Sequence, residues 1–254
     1  FAEAHSNLGG ILRDLGKLKE AEASQRKAIE IKPDFAMALS NLGNILHDIG
    51  KLQEAELSTR KAIKIKPDLA EAHYNLGGIL KDLERSEEAL DSYLKAIEIN
   101  PKLYNIYHTI TDFLKDSDLS KFNKLQLKYI TSLLLEKNNI PYDDLFGSFN
   151  FLYKNKILKN LEKLDIFSSN VELFIRDKLI INALKKMVFR DIDLEKIFTN
   201  VRKYICKRIT ENKEEVNYSQ LQFIIALGEQ CFLNEYIYSL TKEENSSLNT
   251  IINR

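Results

Sequence analysis

Apolar residues recur in the first hundred residues at the spacing of one helical face, and they do so in pairs of short segments. In residues 36–69 the first segment places large apolar side chains three and four positions apart, and the second keeps that spacing with smaller ones. These residues are Leu39, Leu42, Leu46 and Ile49, followed by Ala55, Ala62, Ile63 and Ile65. The pattern predicts two amphipathic helices joined by a short turn.

The same pair of helices returns every 34 residues. Asn7, Asn41 and Asn75 stand in three related phrases, AHSNLGGIL, ALSNLGNIL and AHYNLGGIL. A constant period of this length is typical of stacked helix–turn–helix units. We therefore divide a first domain, residues 1–117, into units 2–35, 36–69 and 70–103. A last helix within 104–117 lacks a matching second helix and is expected to cap the stack.

Glycine, proline and aspartate predict where the helices end and begin. Gly16 and Gly50 suit the left-handed position after the first helix of their units, whereas Glu84 stands at that place in the third unit and predicts a different turn. A proline is expected to stop each second helix, and Asp34 and Asp68 are expected to accept hydrogen bonds near the start of the next helix. The prolines are Pro33, Pro67 and Pro101.

The residues that recur at fixed positions in the three units resemble the sequence pattern of the tetratricopeptide repeat (TPR) family. In the third unit the matching residues are His73, Leu76, Gly77, Leu80, Ala89, Tyr93, Ala96 and Pro101. The resemblance implies an all-α fold, in which a TPR solenoid forms a right-handed superhelix of helix–turn–helix units. Gln25 and Thr59 replace the aromatic residue found at Tyr93, so we expect the first two units to pack less tightly.

The resemblance also implies a peptide-binding groove on the concave side, lined by the first helix of each unit. The asparagine column resembles the asparagine ladder of O-linked N-acetylglucosamine transferase, whose carboxamides bind the backbone of an extended peptide. A carboxamide has both a donor and an acceptor, so it can bond a peptide N–H and C=O without reading the sequence. The candidate groove residues are Asn7, Asn41, Asn75, Asn44, His47, Tyr74, Asp14, Asp48 and Asp82.

A second role for the asparagine column stays open at this point. An asparagine in the middle of a helix can also bond to the preceding turn or bridge adjacent repeats. Thr109 takes the equivalent place in the fourth unit, which limits a ladder to three rungs. The aspartate column would favour basic or hydroxyl groups on a ligand. A carboxylate clamp is disfavoured, because Ser6, Ser40 and Gly10 stand where clamp domains carry Lys, Arg and Asn.

Residues 118–254 keep a helical pattern but lose the 34-residue period. We predict an irregular α-helical linker or regulatory domain, in which residues 138–141 interrupt the helices and residues 168–170 cap a helix. The predicted helices cover residues 119–137, 142–164, 171–188, 192–211, 217–240 and 242–253. Residues 222–245, QFIIALGEQCFLNEYIYSLTKEEN, resemble the segment that precedes the catalytic domain in bacterial TPR–methyltransferase fusion proteins.

Composition argues against several other functions. Thirty-seven basic residues balance 37 acidic ones, and no basic stretch is interleaved with aromatic residues, so we expect no nucleic-acid partner. No apolar run is long enough to span a membrane. Cys206 and Cys231 have no histidine nearby. We predict no catalytic residue, no metal ion and no cofactor, and we expect a reduced, cytoplasmic setting.

The sequence therefore predicts a non-catalytic protein-interaction scaffold that binds an extended peptide segment of a partner protein in the concave groove. The alternative is an accessory region that recruits substrate to, or regulates, an S-adenosylmethionine-dependent methyltransferase whose catalytic domain lies beyond residue 254. We also expect the chain to be part of a longer protein. Self-association through the open N-terminal end of the repeat array is a further possible partner interaction.

Overall fold

The structure is a computed structural model that describes residues 1–103, 105–161, 172–212 and 216–233. Within these ranges the chain is helical and contains no strand, which confirms the all-α fold class. The chain divides into two compact units, Phe1–Asn123 and Lys124–Arg254. The first unit contains the repeats.

Six helices in the first unit form three helical hairpins, one in each 34-residue period. They are α1 (Ala2–Asp14), α2 (Leu18–Ile31), α3 (Ala36–Asp48), α4 (Leu52–Ile65), α5 (Ala70–Asp82) and α6 (Ser86–Ile99). Helix α7 (Ile106–Asp116) and a 3₁₀ turn at Leu119–Lys121 follow. Helices α2, α4 and α6 are the second helices of their units. Each ends two residues before the proline of its unit, as predicted.

A glycine on each first helix makes room for a side chain of the second helix. A Cβ atom added to Gly77 would lie 2.6 Å from the ring of Tyr93, and one added to Gly9 would lie 2.6 Å from the amide of Gln25. Gly43 stands in the same relation to Thr59. The recurring glycine is therefore required by close packing inside each hairpin.

Successive hairpins bury each other's apolar side chains. In one core cluster, Ile79 and the partly buried Leu83 of α5 pack with residues of the preceding unit, namely Leu42, Leu46 and Ala55. A second cluster joins Leu69 and Ala72 to Ala36, Leu39 and Ala62. Each first helix after α1 thus lies between its own second helix and the preceding unit, the nearest-neighbour arrangement of a solenoid.

The turn in the third unit is built like the other two, so the expectation of a different turn at Glu84 is wrong. Glu84 has a left-handed backbone with φ of 60°, close to the values of 74° at Gly16 and 86° at Gly50. The Glu84 N–H donates to the carbonyl of Lys81 and the Arg85 N–H donates to the carbonyl of Leu80, both at 2.9 Å. Both glycine turns have the same pattern of hydrogen bonds. The left-handed conformation destabilises a non-glycine residue by roughly 1–2 kcal/mol, and the backbone hydrogen bonds of the turn offset that cost.

Aspartates do not cap the helices that follow the prolines, contrary to expectation. Helices α3 and α5 begin after Phe35 and Leu69, and no side chain bonds to their first N–H groups. Asp34 and Asp68 each lie one residue too early, since an N-cap side chain must belong to the residue that directly precedes the helix.

The second unit contains helices of unequal length. They are α8 (Lys124–Leu135), α9 (Phe146–Leu161), α10 (Glu172–Ile175), α11 (Lys178–Lys186), α12 (Ile192–Asn212) and α13 (Tyr218–Leu233), with a 3₁₀ turn at Tyr142–Leu145. The predicted helix at 119–137 starts later, at Lys124, and the one at 171–188 is broken after Ile175. The predicted cap at 168–170, the end of the helix at 217–240 and the helix at 242–253 lie outside the described residues.

Asp177 causes the break between α10 and α11. Its carboxylate caps α11 by accepting a hydrogen bond from the N–H of Leu179 at 3.1 Å. The same carboxylate accepts hydrogen bonds from Lys128 on α8 and Tyr153 on α9, both at 2.8 Å. Burial alone raises the pKa of Asp177, but these three donors outweigh burial and hold the pKa below its ordinary value.

One buried position differs between the three repeats. Tyr93 fills it in the third unit and contacts Phe113 edge-on, with ring centroids 5.7 Å apart. Gln25 and Thr59 fill it in the first two units, and both are fully buried. The oxygen atoms Gln25 Oε1 and Thr59 Oγ1 have no hydrogen-bond partner among the described residues. A buried hydroxyl without a partner destabilises the folded state by roughly 1–3 kcal/mol.

Replacing Thr59 with Val should therefore stabilise the repeats by about 1 kcal/mol, since the shape is kept and the unbonded hydroxyl is removed. The matched control is Thr111→Val, because Thr111 is equally buried but donates to the carbonyl of Tyr107 at 2.9 Å. Urea unfolding of both variants checks this. A shift of the two midpoints in the same direction would contradict the interpretation.

A charged network joins the second helices of neighbouring units. Glu56 accepts hydrogen bonds from Arg60 at 2.8 Å and from Arg85 at 2.7 Å. Arg85 also donates to Glu88 at 2.6 Å. Burial by itself raises the pKa of Glu56, but the two arginines outweigh burial and hold the pKa below the ordinary value of 4.5.

Because the folded-state pKa of Glu56 is lowered, its contribution to stability is present above the unfolded-state pKa and disappears as pH falls through the folded-state pKa. We expect Glu56→Gln to lower the free energy of unfolding by about 1 kcal/mol at pH 7. The difference between the variant and the parent chain should shrink as pH falls below 4.5, the ordinary pKa of glutamate, and thermal unfolding over a pH series measures it. A difference that is constant from pH 7 to pH 3 would argue against this ion pairing.

Candidate peptide-binding face

The nine predicted groove residues all lie on α1, α3 and α5 and all reach solvent. The three aspartates and Asn7 are exposed, and the remaining side chains are half-buried. We call this surface the first-helix face, and it comprises Asn7, Asn41, Asn75, Asn44, His47, Tyr74, Asp14, Asp48 and Asp82 together with Ser6, Ser40, Arg13 and Thr109. The helices place equivalent residues side by side because each unit repeats the same helical register.

Two asparagines of the column bridge adjacent repeats. The Asn75 side-chain amide donates to the Ser40 hydroxyl at 3.2 Å, and the Asn41 amide donates to the Ser6 hydroxyl at 3.4 Å. Both serines are buried. The structure thus contains the inter-repeat bond that the second interpretation of the column describes.

This bridge leaves part of each carboxamide available for a ligand. A side-chain amide carries two N–H donors and a carbonyl oxygen with two lone pairs. The bond to serine uses one N–H, so Asn41 and Asn75 each keep one donor and their acceptor. Because the serine is buried and fixed by its helix, the bond also orients the carboxamide. Bridging and peptide binding are therefore compatible roles.

The inter-repeat bridge between α5 and α7 is a pair of hydroxyl groups instead of an asparagine and a serine. Tyr74 takes the place of Ser6 and Ser40, and its hydroxyl lies 3.0 Å from the hydroxyl of Thr109. The Tyr74 ring also contacts Tyr93, with centroids 5.9 Å apart. The hydroxyl pair keeps the inter-repeat bridge where the asparagine column has ended.

Two of the three aspartates already have a side-chain partner within the protein. Arg13 donates to Asp48 at 2.5 Å, and the Asn44 oxygen, turned toward the guanidinium, accepts from Arg13 at 3.0 and 3.2 Å. His47 Nε2 lies 2.7 Å from Asp82. Asp14 has no ion pair among the described residues. The aspartate column therefore offers less free negative charge than the sequence alone indicates.

Sequence reasoning identified the asparagine and aspartate members of these bridges, but not the serine and arginine residues that pair with them. Ser40 and Arg13 belong to the site because each contacts the residue 35 positions later. The recurrence of Ser before Asn, and of a basic residue before Asp, carries this signal. A shift of one position between partner columns is what stacking of successive helices produces.

The remaining sequence predictions concern metal binding, membrane spans and residues 222–245. Among the described residues, no group of three or more His, Cys, Asp or Glu side chains could hold a metal ion. No helix of the described part is long and apolar enough to cross a membrane. Of the segment 222–245, residues 234–245 lie outside the described ranges, as do the side chains of Cys206 and Cys231.

A double-mutant cycle on Ser40 and Asn75 tests the inter-repeat bridge. A neutral hydrogen bond contributes roughly 0.5–1.5 kcal/mol, so Ser40→Ala and Asn75→Ala should show a coupling energy in that range. Chemical unfolding of the two single variants and the double variant measures it. Strictly additive changes in the free energy of unfolding would show that the bridge contributes nothing.

Family models match most of the repeat segment. Residues 70–103 match a model described as tetratricopeptide repeat, and residues 9–50 and 43–84 match a model described as TPR repeat. A search of curated proteins finds no match.

Three solved structures are among those similar to this chain. YrrB, described as a TPR protein with an unusual peptide-binding site, is 22% identical with a TM-score of 0.51, and the match covers 72% of this chain and 91% of that chain. The first TPR of Spaghetti (RPAP3), bound to the HSP90 peptide SRMEEVD, is 19% identical with a TM-score of 0.42 over 45% of this chain and 90% of that one. PilF of Pseudomonas aeruginosa is 18% identical with a TM-score of 0.48 over 98% of this chain and 96% of that one. Together with the three hairpins, the family matches identify residues 9–103 as tetratricopeptide repeats.

Proposed function

We propose that this chain is a protein-interaction scaffold that binds an extended peptide segment of a partner protein along the first-helix face. The observation that carries the proposal is the pair of serine–asparagine bridges. They hold Asn41 and Asn75 in the same orientation on neighbouring helices, each with one N–H and one carbonyl oxygen left for a ligand. A peptide backbone offers matching groups at regular intervals.

The first-helix face favours recognition of backbone over recognition of charge. Asp48 pairs with Arg13 and Asp82 is hydrogen-bonded to His47, so a basic ligand side chain would have to displace a protein partner. Exposed ion pairs contribute only about 0–1 kcal/mol, which leaves little to gain from such an exchange. We therefore propose a ligand selected by its extended conformation, with Asp14 as the place where a basic side chain is preferred.

A peptide is also the ligand class named for one relative of similar fold. YrrB is described as having a peptide-binding site, and its likeness to this chain extends over 72% of the residues. We extend the ligand class to this chain as part of the proposal. The ladder of the O-linked N-acetylglucosamine transferase type is the form of binding that Asn7, Asn41 and Asn75 would support.

Replacing Asn7, Asn41 and Asn75 together by alanine should remove most of the binding of extended peptides. We expect affinities to fall at least tenfold, since each lost pair of backbone hydrogen bonds contributes about 1 kcal/mol. An array of random 15-residue peptides, incubated with the labelled chain, gives the binding signal, and circular dichroism verifies that the helices remain.

The matched control replaces Lys19, Gln53 and Glu87 by alanine. These three residues also recur at a 34-residue interval, but they are exposed on the second helices. This control should bind the array as the parent chain does. Equal binding by the asparagine variant and the control would contradict the proposed ladder.

A further inference from the structure

Helix α5 has a gap in its row of groove side chains at Gly78. Tyr74, Gly78 and Asp82 stand four residues apart, so they share one face of the helix. Tyr74 and Asp82 belong to the first-helix face, and Gly78 between them is half-buried. Because glycine has no side chain, a space is left open between these two residues.

The hydroxyl group of Tyr93 borders on this space. A Cβ atom added to Gly78 would lie 3.8 Å from the Tyr93 hydroxyl oxygen. Tyr93 is only 1% exposed, and its ring is held between Tyr74 and Phe113, with centroids 5.9 and 5.7 Å away. The Tyr93 hydroxyl has no hydrogen-bond partner among the described residues. A buried side chain with an unpartnered polar group beside open space indicates a place for a ligand.

Two further side chains border on the same space. The Cβ atom added to Gly78 would lie 4.0 Å from His47 Cε1. His47 Nε2 lies 2.7 Å from a carboxylate oxygen of Asp82. Because a carboxylate only accepts hydrogen bonds, Nε2 carries the hydrogen, and Nδ1 of the neutral ring is an acceptor on the other side of Cε1.

These groups together select for a ligand group that both accepts and donates a hydrogen bond. Burial, and then the neighbouring Tyr74 and Asp82, raise the pKa of Tyr93 above its ordinary value, so its hydroxyl keeps the proton and can donate. Asp82 and His47 Nδ1 are acceptors. A hydroxyl group meets both requirements with a single oxygen atom, which suits the small space that a glycine leaves.

The other two units lack this arrangement. In the second unit Asn44 fills the position of Gly78, and its oxygen accepts from Arg13. In the first unit Gly10 leaves the position open, but a Cβ atom added there would meet no described atom within 4 Å. Gln25 stands at the place of Tyr93 in that unit. The combination of a glycine with a bordering hydroxyl is therefore found in the third unit.

We propose that this space, the Gly78 notch (Gly78, Tyr93, His47 and Asp82), binds the hydroxyl group of a serine or threonine side chain of the ligand peptide. The ligand hydroxyl accepts from Tyr93 and donates to Asp82 or to His47 Nδ1. This inference rests on the proposed function, because a peptide lying along the first-helix face is what brings a side chain to the notch.

Other side chains fit the notch less well. A ligand carboxylate would meet the like charge of Asp82, and an apolar side chain would leave the Tyr93 hydroxyl without a partner. A lysine could donate to Asp82, but its ammonium group has no acceptor for the Tyr93 hydroxyl hydrogen. The notch thus adds a side-chain preference to a groove that otherwise recognises peptide backbone.

Substitution along a bound peptide tests the notch. The tightest binder of the random peptide array is resynthesised with serine, threonine, alanine, aspartate or lysine at each position in turn, and fluorescence anisotropy measures its affinity for the full chain. We expect one position at which serine and threonine bind about fivefold more tightly than alanine, as one or two partly exposed hydrogen bonds provide. Aspartate at that position should bind more weakly than alanine.

Two variants of the chain should remove this preference. Tyr93→Phe deletes the hydroxyl and keeps the ring, and Gly78→Ala places a methyl group in the notch at ordinary contact distance from its neighbours. Gly10→Ala is the matched control, because its methyl group would meet no described atom within 4 Å, and it should retain the preference. The preference is a ratio of two affinities within one variant, so partial unfolding, which lowers both, does not change it.

The outcomes separate the notch from the groove. Peptides that bind without a preference for serine or threonine at any position, or a preference that Tyr93→Phe retains, would overturn the notch while the proposed function stands. A lysine preference that Tyr93→Phe leaves intact would also overturn it. A random array in which no peptide binds would overturn both proposals.

Discussion

Packing between successive hairpins is the constraint on which the first half of the chain depends. An amphipathic hairpin cannot bury its own apolar surface, so Ile79 and Leu83 are covered by side chains of the unit before them. The free energy of such an array is approximately a sum of terms within units and between neighbours. This requirement explains the 34-residue period in the sequence, because equal spacing keeps the contacting residues of successive units in register.

The same stacking produces the polar surface. Once α3 and α5 lie side by side, Ser40 comes within hydrogen-bond distance of Asn75, and His47 comes within reach of Asp82. These contacts hold side chains in place on the first-helix face. Inter-repeat bridging and the proposed peptide binding would thus be two uses of one carboxamide. The stability of the array and the ordering of the first-helix face have a common origin.

Much of the repeat architecture could be predicted from sequence, because glycine at residue 77 and tyrosine at residue 93 are local signs of a packed hairpin. The turn at Glu84 could not, since backbone hydrogen bonds rather than residue type hold its left-handed conformation. The pairing of Asp48 with Arg13 depends on the register between units. The break before α11 depends on Lys128 and Tyr153, which lie far away in the sequence.

Hydrogen exchange of the full chain, followed by mass spectrometry, tests most directly whether neighbouring units stabilise each other. The three first helices α1, α3 and α5 have nearly the same sequence, but Leu8 and Ile11 of α1 are exposed. Their counterparts Leu42 and Ile45 in α3 and Leu76 and Ile79 in α5 are buried. If stacking provides the stability, amides of Ala2–Asp14 should exchange at least tenfold faster than those of Ala36–Asp48 and Ala70–Asp82. Equal protection of the three helices would show that each hairpin is stable by itself and would contradict the account.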